Sequence, residues 1–144
     1  MLRYVIGGAL WFGICTWALA RGRAPERIVA GGKLAGTFLT PFVQANVGGH
    51  QAELGILAVD AALFGLMLFV SLRWHRWWVL YAAAFTLCQV LTHVARLYSS
   101  EVAQYYYASA AIFWSYLGLW ALAVGVGQVE TVRWRGRGKA KAAV

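Results

Sequence analysis

Residues 53–72, 77–97 and 105–127 are three long apolar runs in close succession, each broken by at most one or two charges. An α-helix rises 1.5 Å per residue, so about 20 apolar residues cross the roughly 30 Å of a bilayer's hydrocarbon core. Each run is that long. Two further apolar stretches, 2–20 and 28–45, precede them. With 61% hydrophobic and 12% charged residues in 144, the chain has far more apolar surface than a water-soluble core of this size can bury; soluble domains are about 45–50% apolar and about 25% charged. The expected fold is therefore all-α: a polytopic membrane protein of five transmembrane helices. Residues 1–132 would form a single membrane domain, and residues 133–144 a basic cytoplasmic tail. The second stretch is the weakest span, because Gly31, Gly32, Lys33, Thr37, Thr40 and Pro41 interrupt it; a kinked, short or re-entrant segment is expected there.

The positive charges orient the spans. Arg21, Arg23, Arg27 and Lys33 follow the first stretch, Arg73 and Arg76 follow the third, and Arg133, Arg135, Arg137, Lys139 and Lys141 lie beyond the fifth. Five crossings place all of these on one side and leave only Arg3 and Arg96 opposite, whereas four crossings split them. The positive-inside rule thus favours five spans, with the N-terminus outside and the C-terminus inside. Arg3, the apolar run after it and Ala18-Leu19-Ala20 also have the outline of a secretory signal. The aromatic core of Trp11, Phe12 and Trp17 favours a retained span.

The net charge of +8 does not point to nucleic acid, since the cations fall in short clusters between apolar spans, where they set topology and meet anionic lipid. The tail reads as a flexible basic extension on such lipid. Trp74, Trp77 and Trp78 at the inner boundary, and Tyr98, Tyr105, Tyr106 and Tyr107 at the outer one, read as interfacial anchors. Cys15 and Cys88 have neither metal-ligand nor disulfide spacing and read as packing residues. Gly118, Gly125 and Gly127 are expected to admit close helix approach. His75, among arginines, reads as solvated.

One short segment stands out. CQVLTHVAR (residues 88–96) keeps Gln89, Thr92, His93 and Arg96 on one side of an otherwise apolar helix, because residues three and four apart lie within about 60° of each other. In the third stretch Glu53 and Asp60 nearly superpose, with His50 just before them, and in the second Thr37, Thr40 and Gln44 share a face. Under the five-span topology these three stripes fall in the same outer half, while the inner half offers almost nothing comparable. A charge inside a span costs at least roughly 2.5–3.5 kcal/mol and finds a partner or a cavity. Asp60, read as the only carboxylate well inside a span, is expected to meet Arg96 and His93. The resulting cluster (His50, Glu53, Asp60, Gln89, Thr92, His93 and Arg96) is either inter-helix glue or an outward-facing polar pocket. Trp114, Ser115 and Tyr116, midway along the fifth stretch, are candidates for packing or ligand stacking.

No cofactor is expected. A metal held by His50, Glu53 and His93 matches no known spacing, and a haem or pigment at His93 stays open. No nucleophile–base pair, phosphate loop, zincin helix or dinucleotide fingerprint appears, so the sequence leans away from an enzyme.

Gly49-His50, Asp60, Arg73 to Trp78, Gln89, Thr92-His93, Arg96 and Trp114-Ser115-Tyr116 together resemble the pattern of a group of small, uncharacterised alpha-proteobacterial inner-membrane proteins. The resemblance covers roughly residues 48–127. It implies a helical protein of a bacterial inner membrane and implies no activity. Five spans rich in tryptophan also suggest the tryptophan-rich sensory (translocator) proteins, but those carry prolines in their tryptophan motifs and this chain has only Pro25 and Pro41. Two functions of different class follow as expectations. One is a non-catalytic accessory subunit stabilising a larger inner-membrane complex, with lipids and other integral membrane subunits as partners. The other is a stand-alone small-molecule binder or transporter using the pocket around Asp60 and His93.

Overall fold

The computed structural model describes residues 2–46, 49–98 and 104–142, with side chains over 6–46, 51–98 and 106–135. All the described secondary structure is helical: α1 (Leu2–Arg21), α2 (Ala24–Asn46), α3 (Gly49–Trp74), α4 (Trp77–Tyr98) and α5 (Gln104–Ala142). Three segments are long and apolar enough to cross a membrane: Gln51–Trp74, Trp77–Tyr98 and Tyr106–Arg135, with mean hydropathies of 2.2, 1.5 and 1.6.

The helices run up and down in a closed ring. Gly32 of α2 faces Leu66 of α3 while Gly55 of α3 faces Val43 of α2, so that pair is antiparallel. Thr86 of α4 bonds Met67 of α3 at 3.2 Å, and Gln89 of the same helix bonds Asp60. Gly125 of α5 lies against the Trp78 indole at the start of α4, and Tyr107 reaches His93 at its other end. α1 closes the ring parallel to α5: Gly7 abuts the Tyr116 hydroxyl, and Arg133 Nη1 donates to the Arg21 carbonyl at 3.1 Å. α2 also touches α5 across the ring. Arg21 and Arg133 therefore share one end of the bundle, with Trp78 near it, and Tyr98 and Tyr106 stand at the opposite end.

Side-chain size explains how closely the rods approach. Met67, Trp78, Leu119, Leu122 and Val126 form the centre of the core together with Cys15, Ala18, Ala30, Ala82 and Ala83. Small residues on α1, α2, α4 and α5 let the larger ones of α3, α4 and α5 interdigitate, the arrangement that packs membrane helices without a hydrophobic driving force. Gly118 and Gly125 are two such sites, against Lys33 and Trp78; Gly127 has nothing near its missing side chain. Outward, the surface is greasy. Only 22% of the most apolar window of α3 and 33% of those of α4 and α5 is buried, and Phe38, Phe42, Phe69, Leu72 and Trp120 are all exposed.

Local chemistry fixes the turns. α2 starts on a capping interaction: the Arg23 N–H donates to Glu26 Oε2 at 2.9 Å, and Pro25 sits in the first turn, where its missing N–H costs nothing. α3 ends with His75 at φ 50°, its N–H bonded to the Ser71 carbonyl at 2.9 Å. That is a left-handed C-terminal cap held by a residue with a side chain, where glycine is usual.

Several expectations are corrected. α2 is one continuous helix through Pro41, not a re-entrant or broken segment; an internal proline removes a single amide, which packing against α3 tolerates. The tail is not a loose extension, because α5 continues to Ala142 through residues that are mostly strong helix formers. Trp78 is no interfacial anchor, being 1% exposed in the core, whereas Trp77 and Tyr106 are exposed as expected. Lys33, counted with the positive cluster, is buried at 3% exposure. Arg3, Tyr105, Arg137, Lys139 and Lys141 lie outside the residues whose side chains are described.

Candidate functional site

α3, α4 and α5 bring a chain of polar side chains together near the tyrosine-rich end. His93 Nε2 lies 2.9 Å from Asp60 Oδ2, both side chains nearly buried. Gln89, one helical turn from His93, donates through Nε2 to the same oxygen at 3.0 Å. On the other side of the imidazole, Nδ1 bonds the Tyr107 hydroxyl, and the two rings meet edge-to-face with centroids 5.3 Å apart. In a neutral imidazole one nitrogen donates and the other accepts. The pattern that satisfies every member has Tyr107 O–H donating to Nδ1, and Nε2–H and the Gln89 amide donating to Asp60. All donors then point towards the carboxylate.

A second pair caps this chain. Arg96 Nε stands 3.4 Å from Glu53 Oε1, and its guanidinium carbon lies 5.2 Å above the Tyr107 ring. The pair is partly exposed, at 20% and 31% for the two side chains, so it is a solvated rim on a buried chain. Arg96 thus pairs with Glu53 rather than Asp60. The reason is depth: Glu53 is nearly two turns closer to the helix end that Arg96 occupies.

The remaining candidates fall in different places. Thr92 bonds back to its own helix at the Cys88 carbonyl, at 2.8 Å. Thr37 likewise bonds the Lys33 carbonyl at 2.9 Å, Thr40 is half-buried and Gln44 is exposed, so the stripe expected on α2 does not join the cluster. Trp114 packs on Phe113 with centroids 5.2 Å apart, Tyr116 meets Trp11 of α1 edge-on at 6.1 Å, and Ser115 between them is half-buried. None of the three makes a described contact with Asp60. The His50 side chain lies outside the described residues. Among those described, no three His, Cys, Asp or Glu side chains gather as a shared metal would require.

Two buried groups escaped the sequence reading. Lys33, 3% exposed on α2, directs its ammonium over the Trp11 ring at 5.3 Å and into the space that the missing side chain of Gly118 leaves. Cys15 and Asp60 lie near enough to it to interact electrostatically. Among the described residues it has no hydrogen-bonded or ion-paired partner. Glu26, 0% exposed, uses Oε2 for the α2 cap and leaves Oε1 without a hydrogen bond among the described residues. The end of the bundle opposite the tyrosines is therefore not dry, and Asp60 is not the only carboxylate inside. The sequence places Lys33 inside the second stretch as an interruption and counts it with the positive cluster; what it does not show is that the side chain turns into the core.

An open groove between α2 and α3, lined by Gly32, Ala35, Gly36, Leu39, Ala58 and Ala62 among others, is almost wholly apolar. The polar chain does not line it.

No protein-family model, no curated protein and no solved structure matches this chain. What the fold defines is a helical protein with three candidate membrane spans.

Proposed function

We propose that this chain is a non-catalytic integral membrane subunit that stabilises a larger complex in a bacterial inner membrane, crossing it five times with the N-terminus outside and the basic end of α5 in the cytoplasm. α1 and α2, of 20 and 23 residues, reach about 30 and 35 Å at 1.5 Å per residue, long enough to accompany the three candidate spans. The clustering of Arg21, Arg23, Arg73, Arg76 and Arg133 at helix ends that share one face of the bundle supports this orientation.

The observation that carries the reading is how the buried polar groups of α3, α4 and α5 spend their bonding capacity. Asp60, His93, Gln89 and Tyr107 bond to one another, fixing three helices in register, while the outer faces stay apolar and available to lipid and neighbouring helices. Gentle extraction from the native membrane, followed by identification of co-migrating chains, tests it. Other membrane chains should travel with this one in fixed proportion. A species containing this chain alone would remove the proposal.

A second reading, a stand-alone binder or transporter of a small molecule around Asp60 and His93, draws support from Lys33, since an intramembrane ionisable group with no bonded partner among the described residues is a functional-site candidate. Asp60→Asn and His93→Ala should then abolish protection by the ligand and leave the fold intact. An absorption spectrum of the purified protein reports directly on any haem or pigment at His93.

A further inference from the structure

The buried polar side chains of this protein do not form one cluster. Ordered along the bundle from the arginine-rich end, the ionisable ones run from Glu26 through Lys33 and Asp60 to His93, on α2, α2, α3 and α4 in turn, with the half-buried Tyr107 of α5 beyond them. Lys33 lies nine residues into α2, about 13 Å from its start, and Asp60 eleven residues into α3, about 16 Å from the opposite end. Both therefore sit near mid-depth. An ammonium and a carboxylate held there, the first without a hydrogen-bonded or ion-paired partner among the described residues, are costly to desolvate. Glue alone does not require Lys33: it makes no hydrogen bond or ion pair to any described residue, and a leucine or methionine would fill the same space.

We propose that the Asp60–His93 pair is a proton-binding site reached from the tyrosine-rich end through Tyr107, with the Lys33 ammonium as its buried counter-charge. The proposal depends neither on a partner subunit nor on a small-molecule ligand. The bonded chain already has the polarity that such uptake needs. The Tyr107 hydroxyl proton passes to His93 Nδ1 as the Nε2 proton passes to Asp60 Oδ2, and the phenolic oxygen takes a replacement proton from the aqueous side. The balance is one proton gained by the pair, with Asp60 neutral, the imidazole neutral in its other tautomer and Tyr107 restored. Tyr107 is half-buried, between the enclosed imidazole and the partly exposed Glu53–Arg96 rim, which is where an entry group belongs. Histidine is the side chain whose ordinary titration range spans neutrality, and a bonded His–Asp pair exchanges protons as a unit.

The groups facing the site are these. α2 contributes Lys33, α4 contributes His93 and Gln89, and α5 contributes Tyr107, which also senses Glu53 and Arg96. Around Lys33, α1 adds Cys15 and the Trp11 face. When Asp60 takes up a proton, Lys33 loses a compensating charge. Loading and the state of Lys33 are thereby coupled with opposite sign, which is the signature the experiment reads.

The test is infrared difference spectroscopy on the full chain in lipid nanodiscs, stepping the pH and following the protonated carboxyl and imidazole bands. The wild-type chain should show a reversible carboxyl component that Asp60→Asn, which is nearly isosteric, removes, while the four glutamates contribute alike to both chains. Lys33→Met takes away a positive neighbour and should move the midpoint of that signal upward by roughly one pH unit. Tyr107→Phe, which removes the relay hydroxyl, should slow the uptake, and an unchanged rate overturns entry through Tyr107. A wild-type spectrum that differs from that of Asp60→Asn by no carboxyl component, or a midpoint of that component indifferent to Lys33→Met, each overturns the proposal. The Lys33 variant keeps the whole bonded chain, so it decides the matter even where the Asp60 variant does not fold.

Discussion

His93 and Asp60 meet at 2.9 Å across the α3–α4 interface with both side chains almost sealed from solvent. They lie far apart in sequence, on antiparallel helices, and each has a second partner: Tyr107 for the imidazole and Gln89 for the carboxylate. Removing either member leaves the other buried with a lone charge or an unmet nitrogen. His93→Ala and Asp60→Ala should each destabilise the bundle by roughly 3 kcal/mol. The double variant should lose clearly less than the sum, by about 0.5–3 kcal/mol of coupling. Unfolding in mixed micelles followed by circular dichroism measures all three, and strict additivity would show that the two do not act together.

Tyr107→Phe isolates the other half of the chain. It deletes one hydrogen bond and leaves Nδ1 of a buried ring without a donor, at a cost of about 1–3 kcal/mol. Glu53→Gln, at the solvated rim, should change stability by less than about 1 kcal/mol. A reversal of that order would move the energetic centre of the network from the imidazole to the rim.

The sequence made part of this arrangement legible. Asp60, Gln89, His93 and Arg96 show themselves because charges and amides at helical spacing are rare in apolar runs, and the five helices show themselves as five stretches of hydropathy. Tyr107 was hidden, since a tyrosine near the end of a span looks the same whether it anchors in headgroups or reaches a histidine. The burial of Lys33 was hidden by its neighbours: it follows an arginine cluster and two glycines, so it reads as an interruption of the second stretch and is counted with the positive cluster. Glu26 was hidden because its burial depends on a cap whose geometry exists only once α1 and α2 turn at Gly22. Partner choice was legible only in part, as Arg96 could reach down to Asp60 or across to Glu53, and helix depth decides between them.

Glycine substitutions on α5 separate packing from propensity. Gly125→Ala would drive a methyl group into the Trp78 indole and should lower stability by about 1–3 kcal/mol, the usual penalty of overpacking. Gly127→Ala, only two residues on, meets nothing and should be neutral or stabilising by up to about 1 kcal/mol through helix propensity. Thermal unfolding of the two single variants side by side checks the contrast. Equal effects would mean that α4 and α5 do not approach at Trp78.

His75 offers a stabilising change. Its φ of 50° places a side chain in left-handed backbone, which costs roughly 1–2 kcal/mol relative to the right-handed region. His75→Gly should therefore raise the thermal midpoint, less whatever the freer unfolded chain returns. A lowered midpoint would show that the imidazole makes a contact at the turn that outweighs the strain.

The two-sided tether on His93 has one more consequence. A helix in lipid slides and spins against smooth neighbours with little resistance, and one residue of slip turns its side chains by about 100°. α4 has lost that freedom: any spin that carries the imidazole off Asp60 carries it off Tyr107 too, so rotation has a sharp threshold instead of a gentle slope. The rod behaves like a keyed shaft.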